Sequence, residues 1–193
     1  RVRSSAASDV YKRQFHDKTL QLIGRRHSVK DFYNAYELVR KSRIPVVNVD
    51  LIIGLPQETE QEIAYSLEQA VKLAPENLTV HTLTLKRSAP LFQKQEQAVL
   101  TTQAAEKMVQ RAAEMAAAIG LEPYYLYRQH YMLGHLANIG YAKPGTESIY
   151  NIQMMEERHP VIGVGPASAS KVPLPDGHHL HKLNMPKNVA VYG

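Results

Sequence analysis

Apolar positions along the chain switch between a helical and a strand period. In residues 28–43, Phe32, Ala35, Tyr36 and Val39 recur at helical spacing, and Ser28 with Asp31 three residues on is the start of a capping box. After Pro45 an almost unbroken aliphatic run, residues 46–53, reads as a strand covered on both faces, as in a parallel sheet. Thr59 and Glu62 predict a second capped helix, with Ile63, Leu67, Ala70, Val71 and Ala74 on one face and Pro75 ending it. Residues 78–85 alternate and are rich in β-branched side chains, which predicts another strand. The alanine-rich stretch 102–119, stopped by Gly120, predicts a third helix. Helix, strand, helix, strand, helix with connections this short implies right-handed βαβ units in a parallel sheet, an α/β fold.

Beyond Pro123 the pattern changes. Residues 124–127, Tyr-Tyr-Leu-Tyr, are a strand candidate; a Gly/Pro-punctuated stretch follows, and residues 161–165 lead into the small-residue run 166–170. The tail, 178–192, reads as a hairpin or edge strands. At the other end, residues 1–14 have neither period. Residues 4–14, SSAASDVYKRQ, resemble the frame translation of a transposon adapter used in sequencing libraries, so the native chain is expected to begin near Phe15.

Composition narrows the chemistry. Among 193 residues there is no cysteine and no tryptophan, which excludes disulfides and any metal cluster held by this chain's own thiolates. No apolar run reaches the roughly 20 residues of a membrane span and nothing resembles a signal peptide, so a cytoplasmic location is expected. The net charge of +5 is spread without a basic run or a nucleic-acid motif. It reads as a solvated basic surface; the alternative is attraction to an anionic ligand rather than to nucleic acid.

One acid stands out. Asp50 lies inside the aliphatic strand, just before the Gly54-Leu55-Pro56 turn. A carboxylate there is costly to bury without a partner. It can accept hydrogen bonds from the two hydroxyls of a ribose, as acids on nucleotide-binding strands do. Arg25, ahead of the first capped helix, is a candidate fork for a carboxylate or phosphate. The alternative is that Asp50 pairs with a Lys or Arg and that Arg25 caps a surface.

Leu22-Ile23-Gly24-Arg25-Arg26-His27-Ser28, followed by Asn48-Val49-Asp50-Leu51-Ile52-Ile53-Gly54-Leu55-Pro56, resembles the second half of the radical S-adenosylmethionine (SAM) barrel. Leu78-Thr79-Val80-His81-Thr82-Leu83, Tyr125-Leu126-Tyr127-Arg128-Gln129, Gly140-Tyr141-Ala142-Lys143-Pro144-Gly145 and Gly163-Val164-Gly165 narrow the resemblance. They point to oxygen-independent coproporphyrinogen III oxidases, and within them to the HemZ-type coproporphyrinogen dehydrogenases. The implied fold is α/β: residues 15–122 as the second half of a partial (β/α) barrel, and residues 123–193 as its end with the start of a C-terminal α+β extension.

The resemblance also implies a reaction. SAM and a [4Fe–4S] cluster oxidatively decarboxylate two propionates of coproporphyrinogen III to vinyl groups in porphyrin biosynthesis, with an electron donor and an acceptor. It carries Arg25 over as the arginine that holds the SAM carboxylate, Asp50 as the acid near the ribose, and Ile52 as packing for the adenine. Arg128 and Gln129 match the pattern near substrate. The family's CxxxCxxC region is absent from this chain, and the family's SAM glutamine would fall at position 13, which is Arg13; Gln14, one residue off, reads as a coincidence. The chain is therefore expected to be an inactive fragment carrying half a cofactor site. The alternative is a haem chaperone-like radical SAM protein, but of that branch's His-Asn…Tyr-Trp signature only Asn151 survives.

Three further features have plain readings. His178, His179 and His181 read as solvated rather than as metal ligands. The tyrosines between 124 and 141 fit amphipathic strand packing as well as a tetrapyrrole pocket. Gly163-Val164-Gly165 lacks the third glycine of a dinucleotide fingerprint.

Overall fold

The structure is a computed structural model and describes residues 14–83, 100–128, 136–176 and 179–192. Residues 1–13, on which the adapter reading rests, lie outside the described residues, as do 84–85, the end of the second expected strand. The chain divides into two compact units, residues 1–148 and 149–193.

In the first unit the local signals act where they stand. α1 is Asp17–Leu22. Ser28 caps α2, Val29–Lys41, with the reciprocal Asp31 bond of a full capping box. Thr59 and Glu62 do the same for α3, Glu60–Lys72. That helix stops short of Pro75, with Ala74 already at a φ of 47°. Thr101 caps α4, Thr102–Ala118, and Gly120 follows at a φ of 74°, a backbone shape glycine adopts without cost.

The strands are β1, Asn48–Ile53; β2, Asn77–Thr82; β3, Glu122–Tyr127; and β4, Asn138–Ala142. They form one sheet in the order β1-β2-β4-β3. β1 and β2 are parallel around α3, as expected. β4 runs antiparallel to both its neighbours, so the sheet is mixed rather than wholly parallel, and the α4 crossover skips one place to reach β3.

One face of the sheet is covered by helices. Val49, Leu51, Ile53, Leu78, Val80 and Tyr141 pack there against Phe32, Tyr36, Ile63, Leu67, Met108 and Ala112. β1 is therefore not sealed on both faces: its other side presents Asn48, Asp50 and Ile52, of which Asn48 and Ile52 are only half-buried. Register extends this second face as a row across the sheet, Asp50 beside Thr79, Thr79 beside Gly140, and Gly140 beside Tyr125.

Gly140 holds its place because the Tyr125 ring lies across it; a Cβ there would fall inside that ring. Gly140→Ala is expected to drive Tyr125 out of its position and cost about 1–3 kcal/mol, as overpacking does. Urea unfolding with tyrosine fluorescence checks this, and an unchanged midpoint counts against it.

At the opposite ends of β1 and β2 from the Gly54 turn, Glu76 gathers three elements. Its Oε2 accepts from Arg40 Nη1 at 2.7 Å and from the Val47 backbone N–H at 3.0 Å. Lys143 Nζ lies 3.7 Å from Oε1. Arg40 also donates to the Tyr36 hydroxyl and to the Ala74 carbonyl, and Tyr36 donates to the Leu73 carbonyl.

The second unit holds α5, Ile149–Glu156; a β5–β6 hairpin, Ala169–Pro173 with Leu180–Asn184; and α6, Val189–Tyr192. The expected strand character of residues 178–192 is met only by β6: its hairpin partner β5 lies before that stretch, and the stretch ends in α6. Gly163 abuts the Ala169 backbone too closely for any Cβ, which explains a glycine there without a ligand.

Candidate functional site

The β1 side chains that face away from the helices converge with two from β2. The parallel register sets Thr79 opposite Asp50 and His81 opposite Ile52. Asn48 Nδ2 donates to Asp50 Oδ1 at 2.7 Å, and Thr79 Oγ1 donates to Asn48 Oδ1 at 3.1 Å. His81 Nε2 stands 3.8 Å from the same Asp50 oxygen, farther than a hydrogen bond. Asp50 is 7% exposed. Burial pushes its carboxyl up, but His81, Asn48 and Thr79 outweigh that and hold it below the usual carboxylate value. Among the described residues, Asp50 is thus partnered by Asn48 through a hydrogen bond and by the nearby His81, not by the Lys or Arg of the alternative reading.

A second carboxylate lies beside the first. The chain leaves β1 at Gly54, φ 94°, and returns through Gln57, φ 61°, so that the Glu58 N–H donates to the Leu55 carbonyl. This tight turn carries Glu58 inward, to 5% exposure. Gln14, 3% exposed, donates from Nε2 to both Glu58 oxygens at 2.6 and 2.5 Å, and to the Ile52 carbonyl at 2.8 Å. The Ile52 N–H points back at Gln14 Oε1 at 3.5 Å. An amide side chain therefore sits along the free edge of β1, using the Ile52 backbone groups that face away from β2. Burial pushes the Glu58 carboxyl up to about 8; Gln14 opposes this and Glu62 adds to it.

The other expected residues are placed as follows. Arg25 is half-buried in the turn between α1 and α2, its backbone N–H bonded to the Leu20 carbonyl. Among the described residues no hydrogen bond or ion pair joins it to Asp50. Arg128 is exposed just after β3, and Gln129 lies outside the described residues. His179 pairs with Asp176 through Nδ1 at 2.7 Å, His181 is exposed, and His178 lies outside the described residues. No metal-holding group of three His, Cys, Asp or Glu occurs among the described residues. No described helix is long and apolar enough to cross a membrane.

Glu58, Gln14 and His81 were not expected as site residues. The available signal for Glu58 was its position, an acid directly after a Gly-Pro turn at a strand's C-terminal end. His81 is visible only through register.

No protein-family model matches the chain. It is 44% identical over 158 residues to the oxygen-independent coproporphyrinogen-III oxidase-like protein HemZ of Bacillus subtilis, covering 81% of this chain and 32% of that one. It is 26% identical over 166 residues to the heme chaperone HemW of Escherichia coli, covering 86% of this chain and 40% of HemW. Among solved structures it resembles the Escherichia coli coproporphyrinogen III oxidase HemN, a radical SAM enzyme, with a TM-score of 0.60 and 18% identity over 82% of this chain and 37% of that one. The chain thus spans about a third of the HemZ relative's length.

Proposed function

From a chain homologous to the HemZ-type group, with the α/β architecture of the radical SAM coproporphyrinogen oxidase fold, we propose part of a SAM site. Its whole-length form is a radical SAM oxidoreductase of porphyrin biosynthesis acting on coproporphyrinogen III, with an electron donor and acceptor. The observation that carries the reading is Asp50. It is a buried acid kept below its usual pKa on the face of β1 turned away from the helices, with Oδ1 accepting from Asn48. An ionised carboxylate is what a ribose diol requires.

Ile52, two residues on and half-buried on the same face, offers apolar surface to an adenine. Arg25 supplies a fork for the amino-acid carboxylate. Gln14 lies close enough to the β1 edge to share in the site, and exposed Arg128 is a candidate for substrate propionates. With a [4Fe–4S] cluster, SAM supplies the one-electron chemistry that converts propionates to vinyls. The residues of this chain include no cysteine and so no thiolate for such a cluster; their part is to bind and orient SAM.

A haem-handling role is the second reading, favoured by the HemW relatives but at lower identity, 26% against 44%. Calorimetric titration with SAM tests the first. Asp50→Asn is expected to weaken SAM binding at least about tenfold, the scale of a lost charge-assisted hydrogen bond. Equal binding by the variant counts against the site. Titration with coproporphyrin III and haemin separates the roles: selective haemin binding favours the chaperone.

A further inference from the structure

His81 has no part in the ribose reading, yet its Nε2 lies 3.8 Å from Asp50 Oδ1. The groups that act on that carboxylate come from two strands: Asn48 on β1, and Thr79 and His81 on β2. Asn48 and Thr79 are neutral, and among the described residues no helix charge acts on Asp50, because the helices pack on the opposite face. His81 stands one register step beyond Thr79, opposite Ile52, so its imidazole reaches Asp50 on the diagonal. Its side chain is 22% exposed against 9% for Asp50, so it is the more solvent-accessible of the two.

Both neighbours work on one oxygen. Asn48 donates to Oδ1 at 2.7 Å, and His81 Nε2 approaches Oδ1 at 3.8 Å. Asn48 anchors Oδ1 by a hydrogen bond and His81 stands beside the same oxygen, so the two together bias the rotation of the carboxylate about χ2. A neutral amide by itself could anchor the group; the imidazole adds a charge preference that an amide lacks.

We propose that His81 is the positioning residue of Asp50, drawing Oδ1 towards β2 so that Oδ2 is presented to a ligand hydroxyl. That the hydroxyl belongs to a ribose rests on the SAM-site reading; the Asp50–His81 coupling does not.

The test uses the whole chain with carboxyl-carbon NMR of Asp50 and adenosine as the probe ligand. His81→Phe is expected to move the Asp50 titration to higher pH and to weaken adenosine binding about threefold, the scale of a lost electrostatic contact rather than of a hydrogen bond. His81→Gln returns a neutral donor, so it is expected to recover most of the affinity while the Asp50 titration stays raised. An Asp50 titration unchanged in both variants overturns the proposal. If His81→Phe does not fold, His81→Gln alone decides by the same criterion. If the titration moves but the unaltered chain binds no adenosine, the positioning role stands and the ribose reading falls.

Discussion

Replacing Glu58 by glutamine is expected to stabilise the protein, and to do so most in alkaline solution. Glu58 is buried with a single amide as partner, and burial raises its carboxyl from 4.5 to about 8 in the folded chain. Unfolded, the same group ionises near its ordinary value. Between these values the folded state holds a proton that the unfolded state has released, so stability falls as pH rises. The loss begins near pH 4.5, is complete above about pH 8, and over 3.5 pH units (8 − 4.5) amounts to about 5 kcal/mol.

Glutamine has the same shape and cannot ionise. Its carbonyl still accepts from Gln14, so the variant should match the original near pH 4.5 and exceed it by several kcal/mol near pH 9. Asp31, Asp50 and Glu62 work in the opposite sense. Their carboxyls lie below the usual value, so the stability they contribute is present above their unfolded pKa and fails as pH falls through the folded one. Stability is therefore expected to peak in mildly acid solution, with the alkaline limb belonging to Glu58. Urea unfolding of both proteins at pH 5, 7 and 9 checks this; parallel curves would show that Glu58 is ionised throughout.

What could be read from the chain was what depends on near neighbours. The Ser28–Asp31 and Thr59–Glu62 caps span three residues each, so the sequence carries the whole interaction. The parallel β1–β2 pair follows from one helix joining two aliphatic runs. β4 could not be read: it is five residues long, contains Gly140, and has no signal that it slips between β2 and β3. Its place is fixed by distant groups, such as Asn138 Oδ1 accepting from the Thr82 N–H. α1 is six residues without a side-chain cap, and α5 buries no residue, so neither has a strong amphipathic or capping signal.

The candidate site divides in the same way. Asp50 was legible as an anomaly, because an acid interrupts an aliphatic strand. His81 was not, since its relation to Asp50 needs the register of two strands 31 positions apart (81 − 50). Gln14 and Glu58 are 44 residues apart and meet only because the Gly54–Glu58 turn folds back on the β1 edge. Reading residues 1–14 as foreign to the fold also set Gln14 aside, whereas its side chain is buried and bonded on two sides.

Glu76→Ala is expected to destabilise the protein by about 2 kcal/mol, between the value of an exposed pair and that of a buried one. Glu76 Oε2 serves two donors at once, the Arg40 guanidinium and the Val47 N–H at the entry to β1. Truncation leaves a partly buried guanidinium without its carboxylate and a backbone donor without an acceptor, and the second penalty adds to the first. Removing Arg40 instead leaves Glu76 with the Val47 N–H and with Lys143, so Arg40→Met should cost less. The Glu76→Ala, Arg40→Met double variant should then be less destabilised than the sum of the two, with a coupling of about 1–3 kcal/mol, because the stranded charge is gone. Lys143 is 39% exposed at 3.7 Å, so Lys143→Ala should change stability by no more than about 1 kcal/mol. Denaturant midpoints of the four variants decide it. Additive losses, or a Lys143 effect as large as that of Glu76, would mean that the Arg40–Glu76–Val47 contact does not hold α2 to the start of the sheet.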